Sequence, residues 1–182
     1  METSIVISGF GGQGVLFTGQ LLAYAGMDND KHVTWIPSYG PEMRGGTANC
    51  TVIVSDDPVG SPLVAEPDVA VVLNLPSFEK YEGLVKPGGL LVVNSSIVNA
   101  ETLRNDIEVV SVPANQIADE LGSVKMMNMA ALGALLAKRP FLTLSQVKQA
   151  LDDHLPARKA DLLEANKLVL QKGYEVGTAV PA

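Results

Sequence analysis

The stretch Ile5-Val6-Ile7-Ser8-Gly9-Phe10-Gly11-Gly12-Gln13-Gly14-Val15-Leu16 decides the fold. Its opening residues are a short Ile/Val run that ends at glycine, which is how a buried parallel strand reads. From Gly12 to about Met27, Val15, Leu16, Gly19, Leu22, Ala23 and Gly26 recur at helical spacing, and the small ones let a helix lie close to a sheet. Strand, glycine turn and helix in that order are the opening of a Rossmann unit. Glycines let the backbone turn tightly and approach a ligand, while free amides at a helix start, aided by the helix dipole, attract an anion. Gly11, Gly12, Gln13 and Gly14 are therefore a candidate anion-binding turn, or a turn that Gln13 closes on itself by hydrogen bonds.

The pattern continues outward. Strands are expected at His32 to Ile36, where Pro37 stops the run, at Ala48 to Ser55, Asp68 to Asn74, Leu90 to Asn94 and Ile107 to Val112. Helices are expected at Phe78 to Leu84, Asn115 to Leu121 and Asn128 to Ala137, the last apolar nearly all round and so buried. Thr143 caps a helix from Leu144 to Leu155, and a final helix from about Arg158 to Lys172 ends at Gly173. Alternating elements with strands apolar on both faces give a three-layer, Rossmann-like α/β domain with a mainly parallel sheet. Residues 1–182 read as a single domain, with 175–182 as a flexible tail.

Composition narrows the partners. Twenty acidic against 13 basic residues give a net charge of −7 with no basic run, so nucleic acid is not expected. No signal segment or membrane-length apolar run is visible, which points to the cytoplasm and away from a membrane. The single cysteine, Cys50, sits in an alternating apolar run and reads as a buried strand residue; alone it cannot hold an iron-sulfur cluster or a structural zinc. His32 and His154 have no metal-ligand partners at useful spacing, and no metal site is expected.

The glycine turn alone does not make a dinucleotide enzyme, because an acid at the end of the second strand must hold the ribose hydroxyls. Here that strand runs into Trp35-Ile36-Pro37-Ser38, and Asp28 and Asp30 precede it. A second glycine segment follows at once: Pro37-Ser38-Tyr39-Gly40-Pro41-Glu42-Met43-Arg44-Gly45-Gly46. Two prolines and three glycines frame an aromatic, an acid and a guanidinium suited to a carboxylate or phosphate. Ser38, Tyr39, Gly40, Glu42, Arg44, Gly45 and Gly46 are candidate residues of an interface or active-site loop, with a Glu42-Arg44 pair that merely braces the loop as the alternative.

Taken together, the two glycine segments, Val54-Ser55-Asp56, Ser61-Pro62, Pro67-Asp68, Lys86-Pro87-Gly88-Gly89 and the helix from Asn128 to Leu136 with Leu132-Gly133 closely resemble the gamma subunit of 2-oxoacid:ferredoxin oxidoreductases. The likeness covers most of the chain. It implies a complex that oxidatively decarboxylates a 2-oxoacid, 2-oxoglutarate being slightly favoured, to an acyl-coenzyme A and reduces ferredoxin. It also implies alpha, beta and delta subunits as partners, with ferredoxin met through the complex. Thiamine diphosphate, Mg, iron-sulfur clusters and coenzyme A are the cofactors implied for the complex. None is expected to be firmly bound by this chain, which has one cysteine and no Gly-Asp-Gly segment with a downstream Asn. Its contribution would be structure and part of the substrate or coenzyme A channel, with Gly11 to Gly14 facing coenzyme A or a partner's acidic side chain. A free-standing NAD(P)-binding enzyme and a pure assembly module are the two other readings.

Overall fold

The computed structural model describes residues 1–38, 47–155 and 162–180. Their strands are β1 (Glu2–Phe10), β2 (His32–Ser38), β3 (Thr47–Ser55), β4 (Val69–Val72), β5 (Leu90–Asn94) and β6 (Glu108–Val112). The helices are α1 (Val15–Met27), α2 (Leu75–Tyr81), α3 (Ala114–Glu120), α4 (Met127–Lys138), α5 (Leu144–His154) and α6 (Leu163–Ala179). One sheet orders the strands β2-β3-β1-β4-β5-β6. β1, β4, β5 and β6 are mutually parallel, and β3 is antiparallel to both of its neighbours. β2 therefore points the same way as β1, and β3 is the one reversed strand, so the sheet is mainly parallel as its apolar strands suggest.

Alternation along each strand divides the sheet's faces. Ile5, Ile7, Val69, Val71, Leu90, Val92, Val110 and Val112 point into the larger core, shared with α1, α3, α4, α5 and α6. Val6, Ala70, Val72, Leu91 and Val93 point the other way, where Phe78 and Tyr81 of α2 and Val98 cover them. The three layers are therefore unequal, with one thick helical layer and one thin.

Three expectations are corrected. Pro37 does not stop β2 but pairs opposite Cys50 inside it; β2 is the outermost strand, and an edge tolerates the missing donor. The last helix does not end at Gly173: it is described from Leu163 to Ala179, and its expected start at about Arg158 falls at 156–161, outside the described residues. Gly173 is instead a close-approach residue, because a Cβ there would stand 2.0 Å from the Ala130 carbonyl oxygen on α4. Residues 175–179, expected in a tail, are accordingly the last turns of α6, held by the contact of Gly177 with Ala134 and by Lys138 Nζ donating to the Val180 carbonyl at 2.6 Å.

Candidate functional site

All the turns that leave the parallel strands open on one edge of the sheet. The pairing of Ser8 with Asn49 and of Ser38 with Asn49 puts the end of β2 and the start of β3 level with the end of β1. The two glycine segments thus emerge side by side at the carboxyl edge, where open α/β sheets bind ligands. Ser38 ends β2 there; Tyr39, Gly40, Glu42, Arg44, Gly45 and Gly46 lie outside the described residues.

The first glycine turn is built from side-chain amides. The Gln13 Oε1 accepts from the Phe10 amide at 2.6 Å, the Gln13 amide donates to the Phe10 carbonyl at 3.1 Å, and Gln13 Nε2 donates to the Leu73 carbonyl at 3.3 Å. Gln13 therefore spends its side chain closing the turn and tying it to the end of β4. The same Leu73 carbonyl accepts from Asn94 Nδ2 at 3.4 Å, and Asn94 also donates to Asn115 Oδ1 at 2.8 Å. One chain of amides so links the ends of β1, β4 and β5 to the start of α3.

Gly14, the residue before α1, has φ 76°, a left-handed conformation that favours glycine. A Cβ there would stand 2.5 Å from Asn128 Nδ2. Asn128 is buried on α4 and donates to Thr18 Oγ1 at 3.0 Å and to the Gly14 carbonyl at 3.4 Å. It is thus the second clamp on the turn. Its sequence signal was a polar residue at the head of an apolar helix, which could be read as a cap; α4 is instead preceded by Met126, and Asn128 bonds across to α1.

Beside Gly14 lies a cleft of about 490 Å³ lined by Phe17, Lys125, Met126, Asn128, Leu155, Leu162 and Asn166 among others. Further along α1, Tyr24 stacks on His154 with ring centroids 4.1 Å apart, and His154 Nε2 meets Asp28 Oδ2 at 2.8 Å. That contact pins the end of α5 to the end of α1 and places His154 in an aromatic and acidic setting rather than a metal-ligand one. At the end of β4, the buried Asn74 Oδ1 caps α2 through the Ser77 amide at 2.9 Å.

The donor set does not suit the metals that the resemblance implies. Cys50 is buried against α1, and burial pushes its thiol up to about 12, so it is a neutral thiol packed near Trp35 and Gly19. Among the described residues no three His, Cys, Asp or Glu side chains come together to hold a metal ion. Nor is any described helix long and apolar enough to cross a membrane.

A dinucleotide site is disfavoured by geometry as well as by composition. In the usual order the second strand lies next to the first, but here β3 intervenes, so the end of β2 stands two strand spacings, about 9.6 Å, from β1. An acid at that end would sit too far from a ribose resting on the glycine turn, and the residue there is Ser38.

The comparisons with known proteins agree with this architecture. The family model described as pyruvate ferredoxin/flavodoxin oxidoreductase matches residues 4–176. Ketoisovalerate oxidoreductase subunit VorA of Methanothermobacter marburgensis is 42% identical over 136 residues, which are 75% of this chain and 28% of that protein. 2-Oxoglutarate synthase subunit KorC of Methanocaldococcus jannaschii is 33% identical over 179 residues, 97% of this chain and 94% of that one. The crystal structure of a keto/oxoacid ferredoxin oxidoreductase gamma subunit from Geobacter sulfurreducens matches with a TM-score of 0.85 and 28% identity, over 98% of this chain and 99% of that one. The chain therefore spans just over a quarter of the ketoisovalerate subunit and nearly all of the other two.

Proposed function

The chain belongs to the pyruvate ferredoxin/flavodoxin oxidoreductase family, and from that premise we propose that it works as the gamma-type subunit of a 2-oxoacid:ferredoxin oxidoreductase. The complex oxidatively decarboxylates its 2-oxoacid, passes the acyl group to coenzyme A and the electrons to ferredoxin. Thiamine diphosphate with Mg and the iron-sulfur clusters supply that chemistry from alpha, beta and delta partner chains. This chain's share is binding, orientation and exclusion of water.

The observation that supports the reading is that Ser38 and Thr47, the residues flanking most of the second glycine segment, stand at the sheet edge where the first one turns. In it, the turn from Gly11 to Gly14 is a preorganised backbone surface, since Gln13 and Asn128 hold it from two sides. Such a turn offers amides at the head of α1 to a phosphate of coenzyme A or to a partner's carboxylate. In the same reading Ser38, Tyr39, Gly40, Glu42, Arg44, Gly45 and Gly46 supply an interface or active-site loop, whose Arg44 is suited to an anion or a partner's carboxylate.

The substrate we assign is 2-oxoglutarate. What favours it is the length of the match: the 2-oxoglutarate synthase subunit aligns with this chain nearly end to end, the ketoisovalerate subunit over three quarters of it. The test is reconstitution with the partner subunits, followed by ferredoxin reduction with 2-oxoglutarate, ketoisovalerate and pyruvate in turn. The highest kcat/KM is expected for 2-oxoglutarate, and a preference for either competitor overturns the assignment. In the same assay Arg44→Ala should lower turnover; unchanged turnover and unchanged assembly would remove Arg44 from the site.

A further inference from the structure

The heads of three helices meet at the cleft of about 490 Å³ beside Gly14: Gly14 precedes α1, Met126 precedes α4 and Leu162 precedes α6, and all three line it. No side chain caps any of these starts, whereas Asn74 caps α2 and Thr143 caps α5. Neither α1 nor α4 has an acid in its first turn, and Glu164 in the first turn of α6 turns outward to Lys167 at 3.2 Å. The positive ends of the helix dipoles therefore face the cleft without a neutralising side chain. Lys125 adds a full charge. Among the described residues its ammonium has no ion pair, and no acid lines the cleft in a chain with 20 acidic and 13 basic residues. Two buried amides define what else an occupant must carry. Asn128 is 4% exposed and Asn166 8%, and their Nδ2 atoms are engaged inside the fold, with Thr18 and Gly14 and with the Leu162 carbonyl at 2.7 Å. Neither Oδ1 accepts a hydrogen bond among the described residues, and neither is sealed from solvent, so both oxygens open into the cleft that the two residues line. The other walls, Phe17, Met126, Leu155 and Leu162, are apolar. A hollow of this size with apolar walls and a few convergent polar groups has the form of a small-molecule site.

We propose that this cleft binds an apolar monocarboxylic acid with a neutral hydrogen-bond donor beside its carboxylate, a branched-chain or aromatic 2-hydroxy acid being the simplest of that class. The carboxylate meets Lys125 and the helix starts. The hydroxyl donates to the Oδ1 of Asn128 or Asn166, which can only accept. The apolar body lies against Phe17, Leu155 and Leu162, and a second hollow of about 300 Å³ that shares Phe17 and Leu155 gives room for a longer one. A 2-oxoacid lacks the donor, and an α-amino acid brings an ammonium that Lys125 and the helix dipoles oppose. The inference goes beyond the gamma-subunit reading and does not rest on it. Asn128 joins the two sites, because the side chain that offers its Oδ1 to the ligand holds the Gly14 carbonyl through Nδ2 at 3.4 Å, so that an occupant steadies the glycine turn.

The test is titration of the full chain with 2-hydroxyisocaproate, followed by calorimetry and by the methyl resonances of Met126, Leu155 and Leu162. Those methyls should shift together and saturably. 2-Oxoisocaproate, which lacks the donor, and leucine should each bind about tenfold more weakly, the size of one hydrogen bond made to a site built for it. Lys125→Met should weaken binding of the hydroxy acid by about tenfold or more, and Leu162→Glu, which sets a carboxylate in the cleft, should abolish it. Both positions are exposed, so the thermal melt of either variant should match that of the parent. The inference is overturned if millimolar hydroxy acid gives no saturable shift, if the shifts fall on other methyls, or if Lys125→Met binds as tightly as the parent. Equal binding of the oxoacid also overturns it. So does coenzyme A shifting these methyls where the hydroxy acid does not, a result that assigns the cleft to the coenzyme A turn and leaves the gamma-subunit reading standing.

Discussion

Replacing Gly173 by alanine sets two effects of opposite sign against each other. In a solvated helix, Gly→Ala stabilises by about 1 kcal/mol, because glycine is the costlier residue to hold helical. At Gly173 the added Cβ would lie 2.0 Å from the Ala130 carbonyl oxygen and 2.6 Å from its carbonyl carbon, both backbone atoms of α4 that no rotamer change can move. Comfortable contact needs about 3.5 Å, so α6 must retreat from α4 by about 1 Å or more. That retreat loosens the packing of Val169 and Leu170, both fully buried, and disturbs the helix whose head carries Asn128. Overpacking typically costs 1–3 kcal/mol, and a backbone clash of this depth belongs at about the top of that range. The net effect is about 2 kcal/mol of destabilisation, a fall in melting temperature of roughly 4–8 °C for a chain of this size. Gly177→Ala, whose Cβ would meet Ala134 Cα and carbonyl oxygen at 2.8 Å, should show a smaller fall. Thermal melts followed by far-UV circular dichroism read both. A Gly173→Ala protein that melts at or above the temperature of the parent would refute the reasoning, since propensity alone gives that result.

Two further outcomes follow from charge and burial. Asp56 accepts hydrogen bonds from Lys31 and the N-terminal amine, which hold its carboxyl at about 2 against an ordinary 3.8. Asp68 is also lowered: burial pushes it up, but Lys86 and the Ser4 hydroxyl and amide outweigh that. A carboxylate depressed in the folded state contributes its stability in full above the unfolded pKa and loses it as pH falls through the folded one. Stability should therefore decline from just below pH 4 toward pH 2, and Asp68→Asn should flatten part of that decline in denaturant titrations; an identical acid profile for the variant speaks against the assignment. Cys50, a buried thiol at about 12, should resist alkylation in the folded chain at pH 8 and react once denaturant is added. Rapid stoichiometric labelling of the native chain would show that the thiol is neither buried nor neutral.

How far the fold was legible depends on where its signals are local. The strand, glycine turn and helix at residues 5–27 could be read because each step is encoded within a few residues, and so could the cap at Thr143, which forms a reciprocal capping box with Gln146. Gly173 misled for a physical reason. A glycine after an amphipathic run signals a helix end as readily as a helix contact, and only the presence of Ala130 opposite it decides which. Pro37 misled likewise, because whether a proline ends a strand depends on whether the strand lies at an edge, a property of the whole sheet.

The same limit explains the candidate site. The glycine residues and Gln13 were visible in sequence, but Asn94, Asn115 and Asn128 were not visible as members of one network, since they join segments as much as 114 residues apart. The reversed strand β3 is the element that gives the site its character. By standing between β1 and β2 it removes the ribose-binding position that a Rossmann unit ordinarily keeps at the end of its second strand. It also returns the chain from β2 to β1, and so brings both ends of the second glycine segment to the edge where the first one turns. The one reversed strand thus explains both why the end of β2 stands away from the glycine turn and why both ends of the second glycine segment return to the edge where the first one turns. Its alternating apolar sequence showed that β3 is a strand, and nothing local in it encodes the direction in which it runs.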